Sequence, residues 1–177
     1  MEEYKMGGLS TANLSKKTYD ALAGGELGPY SVTYEYGLFV HVPDTEEDEE
    51  PCPRDLSRVL KYCRKNGVDW IKFDSDETPD AKLPLYQWSD DCFTIKEAVE
   101  HHGWSIDCDM IPDCKEMEVM VFFAGESEID STEFIIKPFD AAELQGLFED
   151  FCVENGYACN RVNSVMVTRV SAEEVEG

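Results

Sequence analysis

The stretch "DLSRVLKYCRKNGVDWIKFD", residues 55–74, carries two structural periods back to back. Leu56, Val59, Leu60 and Cys63 recur at i, i+3, i+4 and i+7, the spacing of one helix face. Asn66–Gly67 is a helix stop, and "VDWIKF" at 68–73 follows it with strand composition. A helix ended by glycine and fed directly into a strand predicts an α+β class, with short helices packed on mainly antiparallel sheets.

Three more helices have readable starts. Ser15 opens "LSKKTYDALAGG" as an N-cap, and Gly24–Gly25 closes it. Thr94 and Glu97 form a capping box at the head of "TIKEAVEHHG". Asp140 and Glu143 do the same for "DAAELQGLFEDFCVENG", which sets Leu144, Leu147, Phe148, Phe151 and Cys152 on one face and stops at Asn155–Gly156. Helix, Asn-Gly, strand therefore occurs twice, as in a duplicated unit or in any two glycine-capped helices that feed strands.

Strand periodicity is equally plain. "SVTYEYGLFVHV" alternates Val32, Tyr34, Tyr36, Leu38, Val40 and Val42, and reads as one strand. "EMEVMVFFA", "TEFIIKP" and "NSVMVTRV" read as later strands. Residues 104–123, "WSIDCDMIPDCKEMEVMVFF", predict a hairpin turning at Pro112–Asp113. Pairing Met110 with Met117 buries Trp104, Ile106, Cys108 and Met110 against Met117, Val119, Val121 and Phe123. It also sets Asp109 opposite Glu118, with Asp107 beside it, on a negative outer face.

Charge is the outlier in the composition. Thirty-eight acids oppose fifteen bases, a formal net charge of −23. Residues 1–88 hold 17 acids and 10 bases, net −7, and residues 89–177 hold 21 and 5, net −16. "DTEEDEEPCP" at 44–53 and "DSDETPDAKLP" at 74–84 read as solvated acidic connectors. "WSDDCF" near 88–93 is the expected boundary between a 1–88 unit and a more acidic 89–177 unit. So much negative charge argues against direct binding to nucleic acid or to an acidic membrane surface. No apolar run approaches the ~20 residues of a membrane span and no secretion signal opens the chain, so a cytoplasmic protein is expected.

The residue types that carry chemistry are present without its spacing. Seven cysteines form no C-x-x-C pair, and without a secretion signal they read as reduced thiols, mostly small core residues. His101 and His102 are neighbours, so they point different ways on a helix, and His41 lies in a strand. "DSDETPDAKLPL" fails as a calcium loop because Pro79 and Leu85 stand where glycine and a bidentate acid are required. No G-x-S-x-G, S-x-x-K or glycine-rich phosphate loop occurs. The expectation is no enzyme, no catalytic residue, no metal and no cofactor, although a small enzyme whose site forms only in space would leave the same sequence.

The segments "LSTANLSKKTYDAL", "YGLFVHVP", "DLSRVLKYCRKNGVDWIKFD" and "LPLYQW" together resemble an uncharacterised small domain family of bacterial plasmids, prophages and integrative elements. The resemblance covers roughly residues 6–88 and implies a mobile-element setting. It assigns no activity and no functional residue.

A mobile element entering a bacterium meets defence enzymes that hold DNA through lysines and arginines set against phosphates. Carboxylates on a rigid scaffold can occupy such a basic channel, since same-face residues on a strand stand ~6.7 Å apart, about two base steps. The expected function is a non-catalytic DNA-mimic inhibitor of a restriction or CRISPR nuclease. Its expected contact residues are Asp107, Asp109, Glu116 and Glu118 on the hairpin, with Glu149, Asp150 and Glu154 late on the last helix. The alternative is a protein–protein adaptor of the element, acidic for solubility.

Overall fold

A computed structural model of the chain describes residues 3–28, 30–45, 51–90, 92–101, 114–125, 129–136 and 140–172. Its contacts divide the chain into two units, Met1–Trp88 and Ser89–Gly177. Both are built of helices on sheets, the α+β class, and only one strand pairing is parallel among the described residues.

The first unit runs β1 (Met6–Ser10), a 3-10 turn (Thr11–Asn13), α1 (Lys16–Ala23), β2 (Ser31–Tyr34), β3 (Gly37–His41), α2 (Arg54–Lys65) and β4 (Trp70–Asp74). The strands form one sheet in the order β1-β4-β3-β2, with β1 parallel to β4. Leu56, Val59, Leu60 and Cys63 turn inward from α2 onto Leu9, Leu38, Val40, Ile71 and Phe73, as the helical period requires. Asn66 ends α2 and Gly67 takes φ 64°, a left-handed step that glycine makes without steric penalty. Two buried polar side chains of this unit are tied into hydrogen bonds. Asp55 accepts from Ser15 N at 2.9 Å and Thr18 Oγ1 at 2.8 Å, which ties the starts of α1 and α2 together. Asn13 donates to the Pro84 carbonyl at 3.1 Å and accepts from Asp80 N at 3.1 Å.

"SVTYEYGLFVHV" is a hairpin and not one strand. Tyr34 pairs with Gly37 across a two-residue turn, Glu35–Tyr36. Paired residues share a face, so Tyr34 and Val32 go with Gly37, Phe39 and His41, opposite to Leu38 and Val40. The even-numbered apolar positions are thus split. Leu38 and Val40 are buried, while Val32 is 43% and Tyr36 52% exposed.

The second unit runs α3 (Ile95–His101), β5 (Cys114–Ala124), β6 (Ile129–Ile136), α4 (Ala141–Asn155) and β7 (Val162–Ala172), with sheet order β6-β5-β7. The capping box at α3 forms, Thr94 N donating to Glu97 Oε2 at 2.9 Å. Asp140 Oδ1 accepts from Ala142 N at 2.7 Å at the head of α4, and Gly156 ends it at φ 75°. Met117, Val119, Val121 and Phe123 line the inward side of β5, and the Phe123 ring meets Phe148 at 5.4 Å and Tyr157 at 5.1 Å. Among the described residues β6 has only β5 beside it, with Ile129 and Ile135 exposed along that edge.

β5 corrects the expected register of residues 104–123. Met117 pairs with Ile136 on one side and Val170 on the other, and Glu118 with Ile135 and Arg169. A strand has two edges, so Met110 cannot pair with Met117 nor Asp109 with Glu118. The expected partner strand, 104–111, lies outside the described residues. Among the described residues the two helix–glycine–strand segments also differ in placement: β4 is central in its sheet, whereas β7 is at an edge of its own. Their likeness is that of two capped helices.

Candidate functional site

Negative charge on α4 is sorted by the helical period. Leu144, Phe148 and Cys152 face the sheet and are buried. Glu143, Asp150 and Glu154 are exposed, and with Leu147 (37% exposed) they follow i, i+4, i+7 and i+11 along one outward stripe. At 1.5 Å per residue, Asp150 and Glu154 are about 6 Å apart along the axis and Glu143 and Asp150 about 10.5 Å. Leu147 is therefore on the rim and not on the buried face expected for it.

Glu149 does not belong to the stripe. It is 2% exposed, and Gln145 Nε2 donates to its Oε1 at 3.2 Å. Gln145 also donates to the Cys159 carbonyl at 3.3 Å and accepts from Ile95 N at 2.8 Å, so it joins α3, α4 and the chain after α4. A carboxylate so enclosed cannot face a partner. Its position is one residue past Phe148, on the flank of the apolar stripe, and the Gln145–Glu149 i, i+4 pair is the sequence signal for it.

The remaining expected contact residues do not join this stripe where they are described. Asp107 and Asp109 lie outside the described residues, and Glu116 is placed only as backbone, opposite Ser171. Glu118 is half-buried on the outward face of the three-stranded sheet. That face is mixed: Met120 stands between Glu133 and Met166, and Phe122 between Ser131 and Ser164. β7 carries one extra residue there, Thr168, between the Glu118–Arg169 and Val119–Val167 pairs, and its Oγ1 lies 3.0 Å from Glu133 Oε1. Of the seven expected residues, the structure brings Asp150 and Glu154 together and joins them to Glu143.

A second polar cluster occupies the outward face of the four-stranded sheet. Lys72 Nζ is 2.6 Å from Asp74 Oδ2, and the Tyr34 hydroxyl donates to the same oxygen at 2.8 Å. With Lys72, the Asp76 backbone N–H and Tyr34 all bonded to it, the Asp74 carboxyl is held down at about 2. Tyr34 is raised by desolvation and by its bond to Asp74. The Lys72 ammonium also lies over the Tyr34 ring, 5.4 Å from its centroid.

Thiols and imidazoles are placed structurally. Burial pushes Cys63 up to about 12. Cys152 is raised by its hydrogen bond to Cys159 and by burial. His101 stacks on Phe93 at 4.7 Å, and His41 meets Trp70 edge-on at 5.1 Å. Among the described residues no three His, Cys, Asp or Glu side chains converge as metal ligands. No helix among them is long and apolar enough to cross a membrane.

No curated protein and no solved structure matches this chain. Residues 6–88, a span running from the first residue of β1 to Trp88, match the family model described as a family of unknown function (DUF5983) C-terminal domain.

Proposed function

We propose that this chain is a non-catalytic acidic inhibitor, carried by a mobile element, of a basic nucleic-acid-binding defence enzyme of the restriction or CRISPR nuclease type. The observation that carries the reading is the outward stripe of α4. Glu143, Asp150 and Glu154 repeat at about 10.5 and 6 Å, close to three and two base steps of a DNA strand at ~3.4 Å. They sit in the half of the chain whose net charge is −16. Carboxylates held on a helix need no reordering to meet a groove lined by arginine and lysine, and their field speeds the encounter. Glu149 has no part in this surface.

The test is a pulldown from a host lysate at low and high salt, followed by nuclease assays on what elutes. A basic DNA-binding enzyme released by salt, displaced by duplex DNA and inhibited by the chain supports the reading. The Glu143→Gln/Asp150→Asn/Glu154→Gln chain should lose at least tenfold in inhibition, on the order of 0.5 kcal/mol per rim charge. Recovery only of salt-insensitive partners unconnected with DNA would sink it. That outcome would favour the adaptor reading, which the mixed Met120, Phe122, Met166 and Ile135 face of the second sheet supports.

A further inference from the structure

The outward face of the four-stranded sheet is lined with aromatic rings. Its cross-strand rows are Met6–Trp70–His41, Gly8–Lys72–Phe39–Val32 and Ser10–Asp74–Gly37–Tyr34. Tyr30 extends the first row, its ring 6.0 Å from that of Trp70 at 90°. Tyr36 extends the last, 6.4 Å from Tyr34, which in turn lies 5.0 Å from Phe39. Tyr30 is 67%, Met6 57%, Tyr36 52% and Val32 43% exposed. Large apolar side chains gathered on one face to this degree mark a contact surface, whereas single exposed residues do not.

Charge decides what the surface takes. The ring faces carry negative quadrupole potential, and one of them, Tyr34, already holds a cation of the chain itself, Lys72. Glu35 is exposed in the turn between Tyr34 and Tyr36, and Asp74 stays ionised on the face. Lys72, the one lysine or arginine in the three rows, is bonded to Asp74. Nucleic-acid bases could stack on the same rings, but their phosphates would enter the field of a unit with 17 acids and 10 bases. A planar guanidinium suits both the rings and the charge, since it stacks on aromatic faces and is more weakly hydrated than an ammonium.

We propose that this face docks an arginine-bearing segment of a basic partner protein, with guanidinium groups laid on the rings of Tyr30, Trp70 and Tyr36. The surface is in the other unit from the α4 carboxylates and stands whether or not they bind anything.

Because any polycation is drawn to a chain of this charge, the test compares two probes of equal charge. Alternating arginine–glycine and lysine–glycine peptides are titrated into the full chain carrying 15N-labelled tryptophan. The arginine peptide should bind about fivefold tighter. It should shift the indole N–H signal of Trp70 and leave that of Trp88, whose N–H is donated to the Leu14 carbonyl. Tyr30→Ala/Tyr36→Ala, at two exposed positions, should cut arginine-peptide affinity about fivefold and leave both peptides equal. The Glu143→Gln/Asp150→Asn/Glu154→Gln chain should keep the preference, which separates this surface from the α4 stripe. The proposal is overturned by equal affinity of the two peptides for the parent chain, an unmoved Trp70 signal, loss of the preference in the α4 variant, or stronger Trp70 shifts with oligodeoxythymidine. Self-association that buries Trp70 would also overturn it, because the occupant would then be a second copy.

Discussion

Gly37 faces the backbone of Phe73 so closely that a Cβ built on it would stand 1.9 Å from the Phe73 carbonyl oxygen. The Tyr34 hydroxyl donates toward that oxygen at 3.1 Å and toward Asp74 Oδ2 at 2.8 Å, reaching across the bare glycine. The missing side chain is what lets β3 approach β4 here. Gly37→Ala should therefore destabilise the chain by about 3 kcal/mol, because the atom in the way is backbone. Urea denaturation measures this, and a loss under about 1 kcal/mol would show that the sheet yields easily.

Asp74 gives the first unit an acid-sensitive contact. Its carboxyl is held at about 2, against an ordinary 3.8, chiefly by Lys72 and then by Asp76 N–H and Tyr34. The folded value lies below the unfolded one, so the stability it contributes is complete above pH 3.8 and disappears as pH falls through about 2. Asp74→Asn should lower stability at neutral pH, and the difference from the parent should close over that acid window. An unchanged difference at pH 2 would assign the effect to something other than ionisation.

Gln145 serves Ile95 N, Glu149 and the Cys159 carbonyl at once. Gln145→Leu leaves these groups without it and should cost about 3 kcal/mol. Gln145→Glu should be worse, since it sets a second carboxylate against buried Glu149. Thermal unfolding ranks the three chains, and a Leu variant as stable as the parent would refute the role.

Thiol reactivity should follow burial. Cys63 and Cys152 have raised thiols and, with Cys159, are enclosed, whereas Cys52 and Cys92 are half-exposed. Iodoacetamide at pH 8 should modify Cys52 and Cys92 well before the other three, which should react only after denaturation. Peptide mass mapping over time reads the order. Early labelling of Cys63 would contradict the packing of α2.

Helices were legible because their signals are local. The caps Ser15, Thr94 and Asp140 and the stops Gly67 and Gly156 each act within a few residues, and the α+β class followed from them. Strands were legible as faces but not as neighbours. Alternation in β5 correctly turned Met117, Val119, Val121 and Phe123 inward, yet no alternation states that β6 and β7 take both edges. The hairpin at Glu35–Tyr36 is hidden in the sequence because apolar residues of one parity continue through the turn while the faces exchange. β1 is short and carries Gly7 and Gly8, so it shows no alternation to read, and a Cβ at Gly7 would stand 3.2 Å from Val68. On α4, Asp150 and Glu154 are exposed, as acids ordinarily are, whereas the burial of Glu149 could not be read from charge. Burial of an acid depends on a partner, here Gln145, that charge counting ignores.

The outer edge of β6 bears on how the protein behaves in a concentrated solution. An edge strand with Ile129 and Ile135 uncovered is a template on which another molecule's strand can grow, and Asp130 and Glu133 along it are the repelling groups that keep copies apart. Near the isoelectric point of about 4.2 the molecule as a whole ceases to repel its copies. Clouding is therefore expected in mildly acid buffer before any unfolding, and Asp130→Asn/Glu133→Gln should bring it on closer to neutrality.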